Sequence, residues 1–349
     1  MSLILVTAAS SFLGAHIIDQ LLEAGYRVRG TARSSKADRV AAAYAAFGDK
    51  FEVVVVEDIA TSDLTAAFEG VSGLIHVASP LPFSADAETI LRTAVEGSRR
   101  VVEAAYANNV KKMVITSSTS TLLMHPTSVR QTLTEHTWSP LTREIALAPG
   151  TPSTVVYFTS KVLSEKAVWK FAEEHPDVDI TTIHPPFIYG PWSPHAVVDA
   201  STLAAGSNGI LYALIRGPAG RTRVGPEHGF TGATFVHVRD TARAHVLALQ
   251  APRPRAPTPL PHRVVVKAGT FGLTDAVRLL QRERPALRAR LPDVAGAPPD
   301  PEVLVEIDAS SGERLGVGEY VGWRETVLET IDSLVALEEA LGIEATWTE

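Results

Sequence analysis

Among the residues able to do acid–base chemistry, Tyr157 and Lys161 are the pair whose spacing has an immediate use. Pro149, Gly150 and Pro152 interrupt whatever precedes them. Beyond the pair, Val162, Ala167, Val168 and Phe171 keep roughly helical spacing, which predicts a helix. Residues four apart on a helix share a face. A cation beside a phenol favours the phenolate and lowers its pKa toward the operating pH. Such a pair can hand a proton to a developing alkoxide as a general acid. Of the seven Tyr in the chain, only Tyr157 has a Lys four residues later. The same spacing would also serve an ordinary surface pair, so its meaning depends on the elements that position it.

Composition narrows the setting. The chain has 349 residues, 45% hydrophobic and 20% charged, enough for one large or two small soluble domains. A formal net charge of −7 argues against nucleic acid as a partner. With no Cys there is no disulfide framework, thiolate metal site or thiol nucleophile. The first apolar run, from Leu3, is too short for a signal peptide and lacks a basic flank. No apolar run reaches membrane-spanning length. The expectation is a cytoplasmic monomer or homodimer with a small-molecule partner and no membrane.

The first half alternates strand and helix. Leu3 to Thr7 reads as a strand buried on both faces, and Phe12 to Ala24 as a helix closed by Gly25. Further strands are expected at Tyr26 to Ala32, Phe51 to Val56, Leu74 to Ala78, Met113 to Thr116 and Ile180 to His184. Helices are expected at Leu64 to Phe68 and Ala87 to Asn108. This pattern predicts an α/β fold, a doubly wound parallel (Rossmann) sheet with its ligand beyond the carboxyl ends of the strands.

In such a fold the first strand-to-helix loop receives a pyrophosphate at a helix N-terminus. Here it reads Thr7-Ala8-Ala9-Ser10-Ser11-Phe12-Leu13-Gly14. The spacing suggests a Gly-x-x-Gly-x-x-Gly loop in which Ala8 and Ser11 replace the first two glycines. A Cβ at position 8 is strained if the turn is left-handed. Ser11 either crowds a phosphate or hydrogen-bonds to it. A plain turn with no nucleotide is the alternative. The end of the second strand has no Asp or Glu for a ribose diol; it offers Arg33 and Lys36 instead, which suits a 2′-phosphate and hence NADP(H). A solvated basic turn is the bland alternative. Asp58 is placed either to meet the adenine or to cap a short turn.

Three more strand ends define the class: His76-Val77-Ala78-Ser79-Pro80, Val114-Ile115-Thr116-Ser117-Ser118-Thr119-Ser120 and His184-Pro185-Pro186-Phe187-Ile188-Tyr189-Gly190-Pro191. With Tyr157-x-x-x-Lys161 between the last two, the chain resembles the extended short-chain dehydrogenases/reductases. Within them it is most similar to the dihydroflavonol reductase and cinnamoyl-CoA reductase branch, and there to the yeast NADPH-dependent methylglyoxal/isovaleraldehyde reductases and fungal carbonyl reductases. Phe235 to His245, Asp308 to Ser311 and Glu325 to Leu341 extend the likeness almost end to end. The missing glycines at positions 8 and 11 are the departure, and they bear on cofactor affinity rather than on fold.

The resemblance implies roles. Tyr157 is the catalytic acid, Lys161 binds the nicotinamide ribose and lowers the Tyr157 pKa, and Ser118 donates to the substrate carbonyl, with Ser117 and Thr119 as neighbouring candidates. The implied NADP(H) contacts are Thr7, Ala8, Ser10, Ser11, Phe12, Leu13, Arg33, Lys36, Asp58, Ile59, Ala78, Ser79, Pro80, Thr116, Tyr157, Lys161, Pro185, Phe187 and Ile188. Residues 1–190 with 233–268 would form the NADP-binding lobe, and 191–232 with 269–349 a substrate-binding lobe, within one compact unit. Candidate pocket residues are Leu81, Phe83, Leu122, Met124, Phe187, Trp192, Leu203 and Tyr212. Each of these could instead be core. Their apolar character favours an aliphatic or aromatic carbonyl compound.

The second half is less regular. Ser201 to Arg216 reads as helix interrupted by Gly206 and Gly209, and Thr274 to Leu291 as helix broken near Pro285. Ala251 to Pro261 is a connector with five Pro in eleven residues. The eleven His show no metal-ligand spacing, and no Gly-x-Ser-x-Gly elbow is present. The leading expectation is an NADPH-dependent carbonyl reductase. The alternatives are a non-redox dehydratase, isomerase or cyclase using Tyr157 and Ser118, or a nucleotide-sensing protein without catalysis.

Overall fold

Strands that are apolar on both faces need a layer of helices on each side, and the computed structural model of the chain is built that way. It describes residues 2–79, 86–123, 130–217, 221, 232–252, 262–298, 300 and 303–343. The first half runs β1 (Leu3–Val6), α1 (Phe12–Glu23), β2 (Arg27–Ala32), α2 (Ser34–Ala43), β3 (Phe51–Val55), α3 (Thr65–Phe68), β4 (Gly73–His76), α4 (Ala87–Ala107) and β5 (Lys112–Thr116). It continues through β6 (Gln131–Leu133), α5 (Arg143–Leu147), α6 (Ser153–Glu174) and β7 (Asp179–His184). The second half adds β8 (Phe187–Tyr189), α7 (Ala200–Leu203), α8 (Asn208–Ile215), β9 (Gly232–His237), α9 (Val238–Gln250) and β10 (Arg263–Val265). It closes with β11 (Gly269–Gly272), α10 (Leu273–Glu283), β12 (Val305–Ile307), α11 (Ser310–Leu315) and α12 (Trp323–Leu341).

Seven strands form one parallel sheet in the order β3-β2-β1-β4-β5-β7-β10. Alternate residues feed opposite layers, as the pleat requires. Ile4, Val6, Ile75 and Val114 pack under α1, α2 and α9, while Leu3, Leu5, Leu74 and Met113 pack under α4 and α6. The chain reverses direction between β1 and β4, so the crevice at their carboxyl ends is the switch point where a doubly wound sheet binds ligand.

A second core gathers around the three-stranded sheet β8-β9-β11, with Tyr189, Phe235 and Phe271 against Leu211, Val277, Ile331 and Leu334. Gly206, at φ 65°, separates α7 from α8 as expected. Gly209 does not interrupt the helix; it lies inside α8, where a Cβ would stand 2.1 Å from the Ala204 carbonyl oxygen. Pro285 opens a separate short 3-10 turn after α10. Most of the Pro-rich connector lies outside the described residues. Among the described residues no helix is long and apolar enough to cross a membrane.

Candidate active site

Pro152 starts α6 without needing an N–H of its own, and the helix presents Tyr157, Lys161 and Glu165 at successive turns of one face. Lys161 is buried and Tyr157 half-buried. Burial pushes the Tyr157 phenol up to about 12. The direction is opposite to the lowering expected from a neighbouring cation, and the phenol carries its proton at neutral pH. Burial also lowers Lys161 to about 8, against an opposing pull from Glu165.

Ser118 sits where β5 runs into a 3-10 turn at Thr119–Thr121, and α6 packs directly on that turn. The Ser117 and Thr119 N–H groups donate to the carbonyls of Ile183 and Pro185 at 2.8 and 3.0 Å, which fixes the segment beside β7. Ser118 Oγ accepts from the Ser120 N–H at 3.1 Å, leaving its own proton for donation. Ser117 and Thr119 are buried, and the Ser117 hydroxyl already donates to Glu165 at 2.7 Å. Ser118 is the half-buried member of the three.

The first loop has the expected left-handed residue: Ala8 has φ 58°. Ser11 caps α1, its Oγ accepting from the Gly14 N–H at 3.1 Å. A Cβ on Gly14 would lie 2.4 Å from the Ala8 carbonyl oxygen, so glycine is required there. The cap satisfies one N–H of the first turn, and those of Phe12 and Leu13 lack an intrahelical acceptor as in any helix, making this end suited to an anion. Thr7 Oγ1 accepts from the Val77 and Ala78 N–H groups at 2.9 and 3.0 Å, which ends β4 earlier than expected and clamps the crevice. Ser10 is half-buried on the loop and Leu13 is buried beneath it.

At the end of β2, Arg33 is exposed at the start of α2, a helix the sequence pattern does not predict. Lys36 lies on α2, 3.9 Å from the Asp199 carboxylate. A residue missed from sequence stands here too. Glu57 reaches from the end of β3 and accepts from the Ser34 N–H at 3.0 Å. The hydroxyl and N–H of Ser34, together with Arg33, hold its carboxyl below the usual range. Asp58 caps a turn, accepting from the Ala60 N–H at 2.8 Å, and Ile59 packs toward α4 beside Gly97.

The remaining candidates divide. Ala78 is half-buried and Ser79 exposed at the crevice, and Thr116 Oγ1 pairs with His245 Nε2 at 2.8 Å. Pro185 is buried, while Phe187 and Ile188 are half-buried. Trp192 is also half-buried and meets the Phe12 ring edge-on at 4.9 Å. Leu122, Leu203 and Tyr212 have almost no accessible surface and pack as core. Pro80, Leu81, Phe83 and Met124 lie outside the described residues. His76, His184 and His237 are buried and hydrogen-bonded, to Thr7, Thr182 and Glu329 respectively.

A seven-stranded doubly wound parallel sheet, a helix end suited to an anion at its switch point, and a helix bearing Tyr157 and Lys161 packed on the turn after Ser118 are the architecture of the extended short-chain dehydrogenases/reductases. Residues 4–261 match the NAD dependent epimerase/dehydratase family, and the chain belongs to it. It is 32% identical to a ketoreductase of Aspergillus niger, covering 89% of this chain and 91% of that one. It is 31% identical to aldehyde reductase 2 of Sporidiobolus salmonicolor, covering 97% and 96%. Among solved structures, that of Gre2 in complex with NADPH from Candida albicans superposes with a TM-score of 0.83 at 26% identity, covering 96% of this chain and 99% of that one.

Proposed function

We propose that this protein is an NADPH-dependent reductase of ketones or aldehydes of aliphatic or aromatic character, acting in the cytoplasm as a monomer or homodimer. The observation that carries the reading is the packing of α6, which bears Tyr157 and Lys161 one turn apart, on the turn that follows Ser118 at the end of β5, with the Ser118 hydroxyl still able to donate. The names of the ketoreductase and aldehyde reductase relatives, and the NADPH held by the solved structure, support it.

The residues fit the cofactor. Ala8, Ser10, Ser11, Phe12 and Leu13 would hold the pyrophosphate at the α1 terminus, whereas Thr7, expected among them, is fully buried with its N–H given to the Ile75 carbonyl and its hydroxyl bonded to the end of β4. Arg33 and Lys36 would meet the 2′-phosphate, with Asp58 and Ile59 near the adenine. Ala78, Ser79, Thr116 and the Pro185–Ile188 segment would line the nicotinamide side. When bound, NADPH supplies the hydride. Ser118 and Tyr157 donate to the carbonyl oxygen, where negative charge develops, and this is where fixed donors stabilise a transition state most. Tyr157 then releases its proton to the nascent alkoxide. Lys161 orients the ribose hydroxyls and offsets the charge left on the phenolate. Phe187 and Trp192 would supply apolar walls, with residues 191–232 and 269–349 forming the lobe over the substrate.

The test is a fluorescence titration with NADPH followed by a panel of aryl ketones and aldehydes. Saturable binding with carbonyl-dependent NADPH consumption is the expected result. Binding without turnover of any carbonyl would favour a nucleotide-sensing protein, and no binding would favour the non-redox alternative.

A further inference from the structure

A buried and fully bonded charge lies on the same face of α6 as Tyr157 and Lys161. Glu165 follows Lys161 by one turn, and its side chain is 1% exposed. Its Oε1 accepts from Arg263 Nε at 2.7 Å and Trp169 Nε1 at 3.0 Å, and its Oε2 from the Ser117 hydroxyl at 2.7 Å. His184 Nε2 stands 3.4 Å away. Arg263, with a fully buried side chain, lies over the Trp138 ring at 4.0 Å and donates to Thr121 Oγ1 at 2.7 Å. The Thr121 hydroxyl in turn donates to the Ser118 carbonyl at 2.9 Å. The pair therefore holds Ser118 from both sides, through the side chain of Ser117 and through Thr121.

Burying an Arg–carboxylate pair carries a large desolvation cost, and a well-packed apolar pair is often as stable or more so. Stability alone is a weak reason for this network. We propose that Glu165, braced by Arg263, is a positioning residue that fixes the Ser118 turn against α6 and acts as the buried counterion that keeps Lys161 charged. The proposal deepens the reductase reading and rests on it for the role of Ser118, but the counterion part does not need turnover to be tested.

Lys161 and Glu165 line one small cavity with Ser98 of α4, His76 of β4, and Thr116 and Ser117 at the end of β5. Of these neighbours, His76 is driven to about 3 by burial and by the Lys161 charge, so it is neutral and adds no second charge beside Lys161. His245 of α9, bonded to Thr116, is likewise lowered to about 4, by burial. Tyr157 keeps its proton. His184 and Arg263 face Glu165 rather than Lys161. Glu165 is the carboxylate that raises Lys161 against burial.

The test follows the lysine Cε resonances by NMR through a pH titration of the ligand-free protein, with Lys161 assigned by Lys161→Met. In Glu165→Gln the Lys161 midpoint should fall by roughly one pH unit or more. The alkaline limb of kcat/KM for NADPH should move down in step. Because Glu165→Gln leaves Arg263 unpaired and could unfold, Glu165→Gln/Arg263→Met removes both charges. It should recover thermal stability yet keep the lowered midpoint and a reduced kcat. An unchanged Lys161 midpoint in the folded variants, or wild-type kcat in the double variant, would overturn the proposal. If the protein turned over no carbonyl at all, the reductase reading would fail while the midpoint still decided the counterion claim.

Discussion

Gly14→Ala should cripple nucleotide binding through two contacts that can be read directly. The new Cβ would meet the Ala8 carbonyl oxygen at 2.4 Å and Ser11 Oγ at 2.7 Å. The first is backbone, and the second is held in place as the α1 cap. The Ala8 carbonyl also accepts the Ser11 N–H at 2.9 Å, and Ser11 Oγ is the α1 cap, so the methyl group must push the loop open or break the cap. Overpacking of this kind costs about 1–3 kcal/mol. If relief comes by displacing the loop, the loss falls on the anion site, and NADPH binding weakens by roughly 5- to 150-fold, at about 1.4 kcal/mol per tenfold. If the loop holds, the same energy appears as a lower unfolding midpoint. Fluorescence titration with NADPH and thermal unfolding on one sample divide the two. A variant with wild-type affinity and wild-type Tm would show that the close approach at Gly14 is not what shapes the loop.

Other perturbations have equally definite signs. Ala8→Gly removes a left-handed strain of about 1–2 kcal/mol, less about 0.5–1 kcal/mol for the added freedom of the unfolded chain, so Tm should rise slightly; a fall would contradict the strained loop. Arg33→Ala should remove about 1.5–3 kcal/mol of charge-assisted binding to the 2′-phosphate and narrow the NADPH over NADH ratio of kcat/KM. Glu57→Gln, which relieves a carboxylate beside Arg33, should widen it, and an unchanged ratio in both variants would remove the phosphate from this corner. Burial lowers His76 to about 3 and His245 to about 4 from 6.5, so each stabilises the fold fully above about pH 6.5 and progressively less as pH falls toward those values. Stability curves should therefore decline between pH 6.5 and 4, and His245→Gln should flatten that decline.

The parts legible in the sequence were those set by local pattern. Unbroken runs such as Leu3 to Val6 announced strands buried on both faces, and the Tyr157–Lys161 spacing fell on a helix as its periodicity required. The strain at Ala8 followed from a turn that needs positive φ. What escaped was decided by tertiary neighbours. Helix α2 buries only Ala37 and Val40, so its apolar signal is faint, and its Arg33–Lys36 start reads as a turn. Leu122, Leu203 and Tyr212 have the apolar character of a pocket wall, and only packing shows them closed off. The charge of Lys161 alone predicts a lowered Tyr157 pKa, whereas burial, which only the fold shows, raises it. Glu165 and Arg263 lie far apart in the chain, and no spacing rule would have joined them to Ser117.

The central claim is that Tyr157 delivers the proton in a reduction that NADPH drives. It is tested most directly by single-turnover mixing of NADPH-loaded protein with an aryl ketone, comparing the wild type with Tyr157→Phe. The substitution keeps the ring and removes one hydroxyl, so NADPH affinity and Tm should stay near wild type. The rate of NADPH oxidation should fall about 100- to 10,000-fold, the range expected on losing a general acid. A variant that binds NADPH normally and reduces the ketone at the wild-type rate would contradict the account.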